Sequence, residues 1–441
     1  MGGSGSTDRS PGRVALASFL GTTVEWYDYF LFGTAAVLVL NRQFFPSLSP
    51  AAGTLAAFAT FSVAFVARPL GSLVFGHYGD RLSRKKMLVF SLVGMGAATV
   101  AVGLLPGFGT IGVAAPVLLV TLRLLQGIAV GGEWGGASLM ALEHAPEGRR
   151  AFYASWAQAG VPAGTVLATG AFALAGLLPD EQFDAWGWRI PFLASALLIG
   201  VGLWIRLRIE ESPELARAHA EQAAAPEPAP PPLLDVLRDN KKAVLIGALS
   251  VVGGNTVYYL ATVYMLSLGP QTFGFPRSTV LLAIMAAAIV DVAVMPCVAL
   301  LADRIGRRRL LQLGAVLGIV VGVPMFAAFE TGTPWGILLA TMLALPIGHA
   351  FSSAVVTSYI PGLFPAGVRY TGAGLAYQVS GIIASAPAPF MATLLFSVTG
   401  SSLTVGAYLS VVSLVALVAI TVGPRTSLDR DVAAEPAPAP V

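Results

Sequence analysis

The sequence predicts an all-α polytopic membrane protein, with twelve transmembrane helices arranged as two pseudo-symmetric six-helix bundles. Three observations predict it. Of 441 residues, 56% are hydrophobic and 11% are charged, against about 25% charged in a soluble domain. Twelve apolar stretches are long enough to cross ~30 Å of hydrocarbon, which takes roughly 20 residues each. A charged hairpin between two such stretches also occurs twice. Gly76-His77-Tyr78-Gly79-Asp80-Arg81-Leu82-Ser83-Arg84-Lys85-Lys86 returns in the second half of the chain as Ala299-Leu300-Leu301-Ala302-Asp303-Arg304-Ile305-Gly306-Arg307-Arg308-Arg309.

The first six stretches span about 14–40, 51–77, 86–105, 113–141, 152–178 and 188–208. The second six span about 241–268, 278–301, 309–329, 334–361, 371–397 and 402–422. Between them, Glu210-Glu211-Ser212-Pro213, a Pro/Ala run over 223–232 and Leu233-Leu234-Asp235-Val236-Leu237 read as a semi-rigid linker with short amphipathic helices at its ends. The chain divides into a polar tail 1–12, a bundle 13–209, the linker 210–240, a bundle 241–423 and a tail 424–441. The N-terminal tail has no signal-peptide pattern. A second motif marks the duplication: Pro146-x-Gly148-x-Arg150 after the fourth stretch and Pro365-x-Gly367-x-Arg369 after the tenth, at nearly the same offset as the hairpins. Matching motifs in matching loops imply parallel repeats related by an axis along the membrane normal.

Basic residues set the orientation. With the N-terminus inside, inner segments hold 21 of 26 Lys and Arg. Outer loops hold Arg42, Arg189 and Arg277, and Arg68 and Arg123 fall within the spans. That bias places both termini and the linker in the cytoplasm. Cys297 is the single cysteine, so no intrachain disulfide forms and a cysteine metal site is not expected.

Further segments narrow the class. They are Gly21-Thr22-Thr23-Val24-Glu25-Trp26-Tyr27-Asp28-Tyr29-Phe30, Ala67-Arg68-Pro69-Leu70-Gly71, and Arg123-Leu124-Leu125-Gln126-Gly127 with Gly131-Gly132-Glu133-Trp134-Gly135-Gly136-Ala137. Trp186-Gly187-Trp188-Arg189-Ile190-Pro191-Phe192, Glu211-Ser212-Pro213-Glu214 and Arg369-Tyr370-Thr371-Gly372 complete the set. With the duplicated hairpin, they resemble the metabolite:proton symporter family of the major facilitator superfamily, from about Ala17 to Thr421. The resemblance implies an inner-membrane, multi-pass secondary transporter. Its cargo would be a dicarboxylate, a tricarboxylate, a shikimate-like acid, or a zwitterion such as proline or a betaine. Ser83 and Ala299 replace hairpin glycines, and Gly362 stands where relatives often carry an acid.

Ionisable groups at mid-bilayer are costly, so each has a partner or a task. Six lie within the spans: Glu25, Asp28, Arg68, Arg123, Glu133 and Asp291. Glu25 and Asp28 sit one turn apart and face roughly the same way. Two such carboxylates resist ionising together, so one keeps a proton; they are the proton-carrying candidates, unless an ion pair with Arg123 fixes them. Arg123 is charged near the midplane and presents a fork that matches a carboxylate, either the substrate's or that of Asp28. Asp291 is the charge within the spans of the second half; it binds a cationic substrate group, carries a proton or pairs across the bundle.

Tyr29, Gln126, Trp156, Gln158, Asn255, Tyr258, Tyr259, His349, Tyr377 and Gln378 are the polar and aromatic candidates for the cavity. Each is equally suited to an interhelical hydrogen bond. His349 is also a candidate for proton contact. Gating candidates are Glu133 with Arg68, Arg81 or Arg84, and the charged inner ends Asp80, Glu143, Arg150, Asp303, Arg304, Arg307 and Arg369. Asp80 is placed to cap the eleventh helix near Thr371.

The sequence shows no metal-ligand cluster, nucleotide loop or Ser/His/Asp set, so an enzyme is not expected. The expected function is proton-coupled symport of a small organic acid or zwitterion by alternating access, in a lipid bilayer, by a monomer, without metal, other cofactor or nucleic acid. The alternative is an exporter or proton antiporter of a polar metabolite with the same fold.

Overall fold

A computed structural model describes residues 11–81, 84–131, 142, 145–208, 232–365 and 368–424. Twelve long helices carry the fold, numbered here in chain order. In the N-terminal half they are α1 (Pro11–Ala35), α2 (Pro50–Arg81), α3 (Arg84–Leu104), α4 (Ala114–Val130), α5 (Arg150–Ala175) and α6 (Ile190–Arg208). In the C-terminal half they are α7 (Lys241–Thr272), α8 (Arg277–Ile305), α9 (Arg307–Glu330), α10 (Pro334–Tyr359), α11 (Arg369–Thr399) and α12 (Ser402–Val422). The linker contributes a short helix, Pro232–Asp239.

Large apolar side chains such as Val66, Leu104, Leu174, Leu197, Val320 and Val411 are exposed around the bundle, as lipid contact requires. Packing partners repeat between the halves. Helix α3 lies on α6 as α9 lies on α12, and α1 lies on α5 as α7 lies on α11. Helices α2 and α4 approach at backbone distance. A Cβ on Gly127 would collide with the Ala64 carbonyl oxygen, and one on Gly131 with that of Arg68. Only glycine permits this contact, and it fixes Arg68 and Arg123 on adjoining walls.

Hydropathy gave no sign of one feature. Helices α1, α7, α10 and α11 contain or continue into a π-helical turn, at Ala36–Leu40, Leu260–Tyr264, Leu343–His349 and Gly381–Ser385. The first two fall at matching places in the repeat, so the duplication preserves even this irregularity. In α10 the turn contains Pro346, which has no N–H to give the α-ladder.

The halves meet along α5, which packs on α1 in its own half and on α8 in the other. At the end that carries the repeated hairpins, Asp303 of α8 caps α5: the backbone N–H groups of Ala151 and Phe152 donate to its two carboxylate oxygens at 2.9 and 3.0 Å. Thr357 of α10 donates to the Ala154 carbonyl at 3.0 Å. Midway, Ser62 of α2 donates to the Ala386 carbonyl at 2.7 Å. Towards the other end a cavity of about 440 Å³ lies between the α1–α2 connection and α7, with Asn41, Arg42, Ser49, Gln271 and Arg277 in its wall.

Candidate substrate and proton site

The centre of the N-terminal half is built on Tyr29. Its ring is surrounded by Phe61 and Phe65 of α2, both with centroids at 5.1 Å, and by Tyr259 of α7 at 6.3 Å. Two guanidinium groups address this ring. The Cζ of Arg68 lies 4.6 Å from its centroid and that of Arg123 lies 5.5 Å away. Arg123 also stands over Phe32 at 3.9 Å. Both arginines are buried. Among the described residues, neither has a carboxylate within ion-pair distance. Aromatic faces hold these cations, a contact of about 2 kcal/mol when desolvated. That is less than a buried charge asks of its surroundings.

Arg123 is steered by two acceptors, the Phe61 carbonyl at 3.3 Å and the side-chain oxygen of Gln126. Its Nε has no partner among the described residues, and neither does the Nε of Arg68. Gln126 in turn donates to the Thr99 hydroxyl at 2.9 Å, and Thr99 donates to the Met95 carbonyl at 3.1 Å. Beside Thr99 lies Asp28, which is 1% exposed. Its polar neighbours are the hydroxyls of Thr99 and of Ser195 in α6, and neither reaches hydrogen-bond geometry with it. An ionised carboxylate so enclosed, with no described cation beside it, is costly.

This geometry corrects the expected pairing of Glu25 with Asp28. Asp28 points into its own bundle, towards α3 and α6, whereas Glu25 faces Tyr377 of α11 in the other half. Burial, rather than repulsion from Glu25, isolates Asp28. The fixed Arg123–Asp28 ion pair is likewise not formed; Gln126 and Thr99 stand between them.

The remaining candidates fall into distinct places. Gln158 of α5 meets Tyr377, and Gln378 donates to the Gly131 carbonyl at 3.4 Å, both across the halves. Asn255 is committed within its own half, donating to Ser380 at 3.0 Å. Trp156 sits apart from the centre, towards the N-terminal ends of α1 and α5 against Phe19 and Phe152. Asp291 and His349 form a buried pair with a 2.7 Å contact to the imidazole Nδ1. The ring of His349 lies on Tyr258, centroids 4.3 Å apart, and the Tyr258 hydroxyl meets Thr165 of α5 at 2.6 Å.

Of the gating candidates, Asp303 bridges the halves and has Arg307 within 3.8 Å. Arg150 lies 3.9 Å from Glu147, Arg304 is exposed, and Arg369 is half-buried at the start of α11. Arg68 is central, not peripheral. Glu133 and Glu143 lie outside the described residues, as do the side chains of Asp80, Arg81 and Arg84. Sequence reasoning passed over Phe32, Phe61, Thr99, Thr165 and Ser195. Apolar rings and lone hydroxyls are ordinary in such helices, so nothing marked them.

Two repeats of six apolar helices, around two buried arginines with no carboxylate partner among the described residues, have the form of a membrane transporter, not an enzyme, and comparison with known proteins gives the family. Residues 18–389 match the model of the Major Facilitator Superfamily, and the chain belongs to it. It is 44% identical to the shikimate transporter of Escherichia coli over 387 residues, covering 87% of this chain and 88% of that one. It is 40% identical to the inner membrane metabolite transport protein YhjE of Escherichia coli, over 93% of both chains. It is 32% identical to the proline/betaine transporter of Escherichia coli, over 92% of this chain and 82% of that one. The crystal structure of a D-xylose-proton symporter superposes with a TM-score of 0.71 over 94% of this chain and 98% of that one, at 19% identity, which establishes shared fold.

Proposed function

We propose that this transporter is a proton-coupled symporter of a small organic acid or zwitterion, with Arg123 and Arg68 receiving the substrate carboxylate and Asp28 carrying the proton. One observation carries the reading. Two buried guanidinium groups flank Tyr29 without a carboxylate of the described chain against them, and a buried carboxyl lies one short polar relay away. Arginine recognises a carboxylate through paired N–H donors. Shikimate, proline and betaines, which give two of the relatives their names, all carry that group.

The relay supplies the coupling. With Asp28 protonated, Thr99 and Gln126 face a neutral group, and Arg123 is available to an anion from outside. Loss of that proton places a negative charge behind Gln126. The amide then reorients towards it and loosens its hold on Arg123. The moving bodies are the bundles 13–209 and 241–423, joined by the linker 210–240. The cap of Asp303 on α5 holds the inner face shut and must break before release. One chain contains both bundles and the site between them, so a monomer suffices. The excess of basic residues on one side of the spans supports an orientation with both termini in the cytoplasm of an inner-membrane protein.

The test is uptake into proteoliposomes under an inward-directed pH gradient, with labelled shikimate and proline as probes and a neutral sugar as competitor. Accumulation that an uncoupler collapses is expected. Accumulation indifferent to the uncoupler removes proton symport, and competition by the sugar as strong as that by carboxylates removes the arginine site.

A further inference from the structure

We infer that Asp291 and His349 form a second proton-binding site, in the C-terminal half, distinct from Asp28 and opened to water by the rocking of the halves. The inference rests on the proton-coupled reading and extends it from one proton carrier to two.

The pair is enclosed. Asp291 and His349 are 0% and 2% exposed, and the contact between them is 2.7 Å. The second carboxylate oxygen, Oδ1, has no partner among the described residues. Two protonation levels matter. With one shared proton the pair is neutral overall, either as carboxylate and imidazolium or as carboxylic acid and imidazole. Without it the pair carries one negative charge in an apolar interior.

Among the described residues, no other group on the adjoining helices balances that charge. Facing the pair from α7 is Tyr258, a neutral phenol, with Tyr259 beside it in sequence; the lysines of α7, Lys241 and Lys242, are at its start. From Phe152 to Ala175, α5 carries Tyr153 alone among titratable residues, near its inner end. The other charges of α8, Arg277, Asp303 and Arg304, are at its ends. Those of α9 are at its termini, Arg307 to Arg309 and Glu330, and α10 adds only Tyr359, its last residue. In the closed conformation the pair therefore holds its proton.

Release requires water, which the enclosed pair does not meet in this conformation. Tyr258 covers the face of His349, and its hydroxyl is tied to Thr165 in the other half. Separation of α5 from α7 breaks that tie and uncovers the imidazole. His349 also ends the π-helical turn of α10, where the backbone ladder is already irregular. A proton taken from water on one side is then delivered to water on the other.

Two measurements test this. The first needs no substrate. The chain has four histidines, His77, His144, His219 and His349. Nitrogen-15 histidine spectra of protein in nanodiscs, assigned by His349→Gln, should show the His349 ring nitrogens change with pH as the shared proton leaves the pair, with that change displaced in Asp291→Asn. His349 ring-nitrogen signals that do not change with pH, or whose change is indifferent to Asp291→Asn, overturn the inference. The second is the reversal potential of labelled shikimate flux in proteoliposomes. The double variant Asp291→Asn/His349→Gln keeps a neutral hydrogen-bonded pair, so it should fold, and it should move one proton fewer per substrate. Wild-type flux coupled to protons, with the same ratio in the double variant, sinks the second site alone. Wild-type flux without proton coupling sinks the functional reading instead, and the histidine spectra then decide whether the pair binds a proton.

Discussion

At the centre of α2 and α4 the N-terminal half carries Arg68 and Gln126. In the C-terminal half the hairpin offset matches Arg68 to Asp291 of α8, and α10, the counterpart of α4, carries His349. The helices correspond, but the electrostatic solutions do not. In the C-terminal half acid and base meet directly and are neutralised in place. In the N-terminal half two cations lie on aromatic rings, and the acid, Asp28, is set apart behind Thr99 and Gln126. Duplication preserved the scaffold, including the π-turns of α1 and α7, and left each half free to hold its ions differently. A half that pairs its charges internally has little to offer a charged substrate. A half that keeps them apart can offer both a cationic site and a proton.

The sharpest way to break this contrast is to remove one carboxyl from each half. Asp28→Asn should abolish accumulation driven by a pH gradient while leaving counterflow exchange intact, because a neutral amide mimics the protonated acid at all times. Asp291→Asn should leave accumulation in place with a lower proton ratio. If Asp28→Asn still concentrates substrate as the wild type does, the assignment of roles to the halves is wrong.

Arg123→Lys comes next. An ammonium cannot reproduce the fork or stack on Phe32, and loss of a buried charge-assisted contact costs about 2–5 kcal/mol, so uptake should fall roughly 30-fold or more. Arg68→Lys should do less, since Arg68 holds the site through rings alone. Equal and small effects on carboxylate affinity would show both arginines to be structural.

Gln126→Leu tests the relay with a smaller effect. One buried hydrogen-bonding group is worth about 1–2 kcal/mol, or roughly tenfold in uptake. The informative quantity is the pH dependence of exchange, which should flatten as Asp28 and Arg123 are disconnected. Retention of the wild-type pH profile at reduced rate would reduce Gln126 to a packing role.

The smallest expected effect is at the inner contact between the halves. Asp303→Asn can no longer accept both N–H groups as an anion, and loss of a cap is worth about 1 kcal/mol, roughly fivefold in a conformational equilibrium. The inner cavity should then become more reactive to thiol reagents, measured at introduced cysteines in a Cys297→Ser background. Unchanged or lower reactivity in well-folded protein would dismiss the contact as a latch.

Much of the fold was legible in the sequence because it rests on local quantities. Span length follows from the thickness of hydrocarbon, and the repeat can be read directly in Asp80 and Asp303. Buried charge is so rare in a membrane helix that Asp28 and Arg123 stood out without any structure. What the sequence did not carry was the rotational phase of each helix. In a soluble protein the apolar stripe reveals it; here both the lipid face and the packed face are apolar, and the periodic signal disappears. Glu25 and Asp28 therefore read as neighbours sharing one environment, although packing turns them towards different partners. For the same reason Arg68 read as a gate, and Asp291 stayed open among a substrate contact, a proton carrier and a partner across the bundle. Only the tertiary structure set Arg68 against Tyr29, joined Asp291 to His349 of another helix and placed Asp303 on the end of α5 in the opposite half. Those contacts depend on which glycines let helices close to backbone distance and on how two halves dock, and neither is a property of any single stretch of chain.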